Sequence, residues 1–182
     1  MAEYIIIKNF LDKDLCQRMS GFMWEKYEQN QFYYDDQCTT SPAFFNLFKH
    51  PAKIYKEKLE NELGLKLWDT YNHSRIYKKG ELLVPHKDKN QCEIAISITL
   101  GYSGEKPWPL HFYSHEQHKI ITVDLDIGDV LIYKGFDLLH WRNQMKDDWQ
   151  CQAFWFYATD DRFVDKLFPG IEDMQTTYEF MV

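Results

Sequence analysis

The period of the apolar positions changes along the chain, and those changes divide it. Tyr4-Ile5-Ile6-Ile7 is a short β-branched run that predicts a first strand. Behind Asp12, a residue suited to capping, Leu15, Cys16, Met19, Phe22 and Met23 recur at helical spacing, so a helix is expected with that stripe in the core. Residues Gln29 to Thr40 mix polar and aromatic side chains without a clear period. They read as a loop, which in an enzyme can fold over a site and bring Tyr33 or Tyr34 to substrate. A second helix is expected from near Pro51, a residue favoured at a helix start, to Gly64, the usual terminator; Ile54, Tyr55, Leu59 and Leu63 give it an apolar face.

From Leu65 onward the period falls to two. In CEIAISITL, Ile94, Ile96, Ile98 and Leu100 alternate with Glu93, Ala95, Ser97 and Thr99, which predicts one strand face for a core and one for a polar or small-residue cavity. Shorter strands are expected at Phe112-Tyr113, Lys119 to Val123, Val130 to Tyr133 and Gln150 to Tyr157, punctuated by turn signals at Gly80, Gly128-Asp129 and Lys134-Gly135. A short closing helix is expected over Asp161 to Phe168. Many short strands behind two or three helices imply a mainly β protein of two packed sheets. A length of 182 residues suits a single domain, with the N-terminal strand and helices in 1–64, a β core in 65–158 and a closing segment in 159–182.

Composition narrows the partners. An aromatic fraction of 17% suits strands, and a net charge of −7 argues against a nucleic-acid-binding surface. The basic stretch from Lys53 to Lys66 is interleaved with Glu57, Glu60 and Glu62 and reads as a solvated helix face. Cys16, Cys38, Cys92 and Cys151 form no close pair and no zinc spacing, as expected of reduced thiols in a cytoplasmic protein. No apolar run approaches membrane-spanning length, and Tyr4 to Phe10 is too short and lacks the basic start of a signal peptide. The oligomeric state leaves no signature.

The candidate chemistry lies in His86, Asp88 and His140. Residues at i and i+2 of a strand point to the same side, so His86 and Asp88 can offer nitrogen and oxygen to one ion. Two imidazoles and one carboxylate are the protein's share of a facial iron site that leaves positions open. His-x-Asp alone is a common pattern, and polar residues at a solvated strand end are the bland alternative. The surroundings favour the metal: Tyr77 stands nine residues before His86, Gly80 marks a turn, and Pro85 restricts Val84 to extended geometry. His111, His115 and His118 cluster locally without a matching carboxylate and read as a solvated turn, while His50 and His73 have no evident partner.

In that order, RIYKKGELLVPHKD, the alternating strand, GDVLIYKG and the distal HWR resemble the 2-oxoglutarate- and iron(II)-dependent dioxygenases of the prolyl-4-hydroxylase-like branch. The resemblance covers residues 70–158 well, and YIIIKNFLDKDLCQRM more loosely resembles that branch's strand-then-helix entry. It implies a double-stranded β-helix, or jelly roll, with Fe(II) held at its open end by His86, Asp88 and His140. It also implies 2-oxoglutarate as cosubstrate, O2 as oxidant and hydroxylation of an unactivated C–H bond. The first expected substrates are prolyl residues of a peptide or protein, although related enzymes act on free amino acids and other small molecules.

One part of the family pattern is missing. The family places arginine or lysine nine or ten residues after the distal histidine, against the far carboxylate of 2-oxoglutarate; Trp149 and Gln150 stand there in this chain. Arg142 is the nearest substitute, Tyr77 and Thr99 occupy places where the family offers hydroxyl donors, and Lys134 is a more distant candidate. Arg142 also suits a substrate carboxylate, or a plain surface position. Trp108, Trp141, Tyr113 and Tyr102 are candidates for the pocket wall. The missing cation keeps an alternative open: a non-catalytic, cupin-like jelly roll that binds metal or ligand, with a sugar-binding jelly roll as a third reading.

Overall fold

The computed structural model describes residues 2–90 and 92–161. Its elements in chain order begin with β1 (Tyr4–Ile7), α1 (Lys13–Glu28), β2 (Tyr33–Asp35), β3 (Cys38–Phe45), α2 (Lys49–Leu63) and β4 (Trp68–Lys78). They continue with β5 (Leu83–His86), β6 (Ile94–Tyr102), β7 (Leu110–Ser114), β8 (Lys119–Val123), β9 (Val130–Tyr133), β10 (His140–Arg142) and β11 (Trp149–Ala158). A seven-stranded antiparallel sheet, β1-β9-β6-β11-β4-β3-β2, packs on a four-stranded one, β5-β10-β7-β8. This is the expected mainly β jelly roll with two supporting helices among the described residues.

Strand β6 shows how the alternation builds the layers. Ile94, Ile96, Ile98 and Leu100 join the core beneath the helices, with Met19, Met23 and Leu59. Ala95 faces the smaller sheet, in a second core with Leu110, Phe112 and Leu131. Both helices therefore cover one face of the large sheet, and the other face is left to form the barrel interior.

The caps explain where the helices sit. The Asp12 carboxylate accepts from the amides of Asp14 (2.9 Å) and Leu15 (3.3 Å), satisfying two of the free N–H groups at the start of α1. Helix α2 ends at Gly64, whose φ of 63° is the left-handed conformation that glycine tolerates. Ile54 does not belong to its apolar face: it is 57% exposed, whereas Pro51, Ala52 and Leu59 are buried. Ile54 lies five residues before Leu59, about 140° around a helix of 3.6 residues per turn, so the two cannot share a stripe.

The segment Gln29 to Thr40 is not a plain loop. It contains β2 and the start of β3, joined by a turn in which the Asp35 carboxylate accepts from the amides of Gln37 and Cys38, both at 3.1 Å. β2 is a three-residue edge strand with an irregular register, and an edge strand of that length need not alternate. The closing helix expected over Asp161 to Phe168 lies outside the described residues, Asp161 excepted. All four cysteines are buried and unpaired, and no helix among the described residues is long and apolar enough to cross a membrane.

Candidate metal centre

His86 and His140 are direct partners across the β5–β10 pair, while Arg142 pairs with Leu83. Two steps along β10 thus match three along β5, which carries one extra residue at Val84-Pro85. That bulge turns Val84 outward (52% exposed) and lets both Leu83 and His86 face the barrel. Asp88 lies two residues past the end of β5, not on the strand as the spacing predicted, and is held where its amide donates to the Gly135 carbonyl at 2.9 Å. Only glycine fits there, because a Cβ at position 135 would lie 2.6 Å from both the Asp88 Oδ2 and the Cys92 carbonyl oxygen.

The three side chains meet. Asp88 Oδ1 lies 3.6 Å from His86 Nε2 and 3.7 Å from His140 Nε2, and the donor atoms of the three residues all fall within 4.8 Å of one another. The Nδ1 of each histidine lies 2.9 Å from a backbone carbonyl two residues upstream, Val84 for His86 and Leu138 for His140. A carbonyl only accepts, so each Nδ1 carries the proton and each Nε2 presents its lone pair to the shared point. Two imidazole nitrogens and one carboxylate oxygen in this state suit a divalent first-row metal such as iron(II).

The two imidazoles differ electrostatically. Burial depresses the His86 pKa, but hydrogen bonding to Asp88 and to the Val84 carbonyl outweighs it, and the net shift is upward. Burial dominates at His140 and its pKa falls, the Asp88 carboxylate offsetting only part of the effect.

The centre opens into a cleft lined on other sides by His73, Tyr77, Arg142, Tyr133, Phe154 and Phe156. Arg142 is 2% exposed, so the surface position does not hold. Its guanidinium donates to the Trp108 carbonyl and lies 5.0 Å above the Trp108 ring, and no carboxylate pairs with it among the described residues. Tyr77 is buried beside it, its ring edge-on to Trp108 at 5.0 Å. Thr99 does not reach the cleft: its hydroxyl donates to the Gln152 Oε1 at 3.4 Å.

Where the family would carry a cation, Gln150 sits in a neutral ladder. Its Oε1 accepts from the Trp108 amide (2.7 Å) and its Nε2 donates to Gln152 Oε1 (2.9 Å), while Gln152 Nε2 donates to the Ser97 hydroxyl (2.9 Å). Trp149 points to the other side of the sheet, edge-on to Trp24. Lys134 lies outside the cleft lining. The expected aromatic wall is also different: Trp108 lies behind Arg142, Tyr102 bonds Asp126, Tyr113 packs on His115 and Trp141 stacks on His111. Phe154 and Phe156 line the cleft instead. His111 bonds Thr122 and Asn143, so the local histidine cluster is indeed hairpin surface.

Three inward residues had no assigned part in the sequence reading. His73 lines the cleft, and burial, aided by the nearby Arg75 charge, lowers its pKa to about 3, so it is a neutral imidazole. Arg75 is 1% exposed; it pairs with Asp35 of β2 at 2.5 Å and donates to the carbonyls of Cys38 and Ser41. Tyr133 approaches Asp88. The available signal was the period-two alternation that sets His73 and Arg75 on the same side of β4 as Tyr77.

No protein-family model and no curated protein sequence matches the chain. Solved structures do. A prolyl-4-hydroxylase from Pseudomonas putida aligns over 85% of this chain and 91% of its own, with 13% identity and a TM-score of 0.70. A Trichoplax adhaerens prolyl hydroxylase, in complex with a hypoxia-inducible-factor degradation-domain peptide, aligns over 88% and 86% with 10% identity and a TM-score of 0.71. HygX from Streptomyces hygroscopicus, with nickel and 2-oxoglutarate bound, aligns over 86% and 82% with 10% identity and a TM-score of 0.64. At these identities the likeness is one of fold.

Proposed function

We propose that this chain is a 2-oxoglutarate- and iron(II)-dependent oxygenase that hydroxylates an unactivated C–H bond, as a single catalytic unit spanning residues 1–182. The observation that carries the reading is the conjunction in one cleft of a three-donor metal centre and a buried guanidinium with no carboxylate partner. Burying an uncompensated charge is costly, and a site that maintains one is complete only with an anion. His140 and Arg142 are i and i+2 on β10 and both line the cleft, so their Cα atoms are roughly 6–7 Å apart along the strand. That interval suits a five-carbon dicarboxylate with one end chelating the metal and the other on the guanidinium.

In this reading His86, Asp88 and His140 hold Fe(II), Arg142 binds the far carboxylate of 2-oxoglutarate, and the Tyr77 hydroxyl is a second donor to it. Thr99 acts only through Gln152, by steadying the ladder under the site. With Fe(II) and 2-oxoglutarate bound, the cofactor chemistry reduces O2, yielding succinate and carbon dioxide and placing one oxygen atom on the substrate carbon. The protein orients the imidazoles through their Nδ1–H bonds, fixes the cosubstrate by charge and surrounds the reacting carbon with Phe154 and Phe156. Substrate enters on the β2–β3 side, past Gln37 and the neutral His73, which can donate or accept one hydrogen bond. Prolyl residues of a peptide or protein are the first candidate substrates, followed by small molecules; both kinds occur among the similar structures, whose names include prolyl hydroxylases and HygX with hygromycin B. Four unpaired thiols suit a reducing compartment, and we place the enzyme in the cytoplasm.

Gln150 favours a second reading, a cupin-like binder without turnover; Arg142 weighs against it. Anaerobic titration with Fe(II) and 2-oxoglutarate separates the two. A weak visible charge-transfer band that needs both components, followed by oxygen-dependent succinate release, supports the oxygenase. A band without succinate leaves the binder, and no band refutes the cosubstrate assignment. Peptides that gain one oxygen atom in mass would then identify substrate.

A further inference from the structure

We propose that Tyr133 is a positioning residue of the metal centre: its hydroxyl holds one oxygen of Asp88 so that the carboxylate can ligate through the other alone. The inference rests on the metal centre assigned above. Alternation along β9 sends Val130 and Ile132 into the helix-side core and turns Leu131 and Tyr133 into the barrel. Tyr133 is buried at the end of that strand and lines the cleft, and its hydroxyl lies 3.5 Å from Asp88 Oδ2. A carboxylate oxygen only accepts, so the phenol donates.

The two oxygens of Asp88 are thereby distinguished. Oδ1 is the oxygen at 3.6 and 3.7 Å from the two Nε2 atoms, facing the shared point. Oδ2 is backed by Gly135 and receives the Tyr133 hydroxyl. The Tyr133 ring also meets His140 edge-on, with centroids 5.1 Å apart and planes at 67°. One side chain thus steadies two of the three ligands. The coordination consequence is specific: a carboxylate binding through both oxygens would take a fourth position on an octahedral ion, whereas one oxygen leaves three positions free, enough for a two-atom chelator and dioxygen.

The test uses the whole chain loaded anaerobically with Co(II) alone, without cosubstrate, beside Tyr133→Phe. The phenyl ring keeps its contact with His140, so only the hydroxyl is removed. Tyr133→Phe is expected to weaken Co(II) binding about tenfold, the low end for loss of a partner to a ligand, and to shift the cobalt visible spectrum as Asp88 gains a second bond. The unloaded variant should melt within a few degrees of the wild type. An unchanged affinity and spectrum would overturn the proposal. Should the variant fail to fold, infrared difference spectra of the wild-type chain with and without Zn(II) decide: widely split carboxylate stretches mark single-oxygen ligation, and a narrow splitting sinks it. Wild-type protein that takes up no Co(II) would instead remove the metal centre itself.

Discussion

Replacing Arg142 by methionine separates a charge kept for a ligand from a charge kept for the fold. The side chain is 2% exposed and has one described hydrogen-bond acceptor, the Trp108 carbonyl. Methionine retains much of the stem's volume and can lie against the Trp108 ring while removing five N–H donors and the charge. Hydrogen bonds to a charged group contribute about 1.5–3 kcal/mol each, so losing a guanidinium–carboxylate contact should cost roughly 3 kcal/mol of 2-oxoglutarate binding. At 1.4 kcal/mol per factor of ten that is about a hundredfold in apparent affinity. Iron binding should hold within a few-fold, because the ligand atoms and their Nδ1 bonds are untouched. Without ligands, Arg142→Met should be as stable as the wild type or slightly more so, since an unpaired buried charge is exchanged for an apolar group. The assay is a pair of thermal melts and visible titrations, with and without 2-oxoglutarate. Wild-type cosubstrate affinity in the variant, or a ligand-free protein destabilised by several kcal/mol, would mean that Arg142 is a structural clamp on Trp108 and would refute the reasoning.

Further expectations follow from the same contacts. Metal uptake should lose affinity as pH falls with a slope near one proton: the raised pKa of His86 makes it the first imidazole to be protonated, while the lowered pKa of His140 keeps that ring neutral, so His86 competes first. Cobalt titrations over a pH series would show this, and a two-proton slope from the outset would contradict it. Gly135→Ala should cost about 1–3 kcal/mol by overpacking and weaken metal binding at least tenfold, because the added methyl group displaces Asp88 or Cys92; calorimetry with a divalent metal checks it. Asp35→Asn leaves Arg75 buried without its anion, and a loss of about 2 kcal/mol in urea unfolding is expected, less than for a fully buried pair because Asp35 is partly exposed. An unaltered midpoint would show that the Cys38 and Ser41 carbonyls suffice for Arg75.

What the sequence disclosed and what it concealed divide along a physical line. Alternation from Ile94 to Leu100, the Asp12 cap and Gly64 are local, so they could be read directly; the closeness of His86 and Asp88 could be read too, although Asp88 lies past the end of β5 and not on it. The pairing of His140 with His86 is not local; it became legible only because the surrounding motifs resemble a known order. The depth at which Arg142 lies depends on Trp108 and on the packing of β10 between β5 and β7, none of which HWR contains. Arg75 meets its carboxylate 40 positions away, on an edge strand too short to announce itself. The bulge at Val84-Pro85 likewise needs a register, and register belongs to two strands at once. Ile54 misled because its own side chain is apolar, although its angle around the helix excludes it.

The bonds that steer the two imidazoles end on main-chain oxygens, and this gives the scaffold an unusual freedom. Apart from Tyr133, which packs against His140, those bonds ask nothing of neighbouring side chains, so the walls contributed by His73, Phe154 and Gln37 are free to vary, by drift or by design, without retuning the cation's grip. A chain built this way can exchange one clientele of molecules for another while its reactive heart stays put.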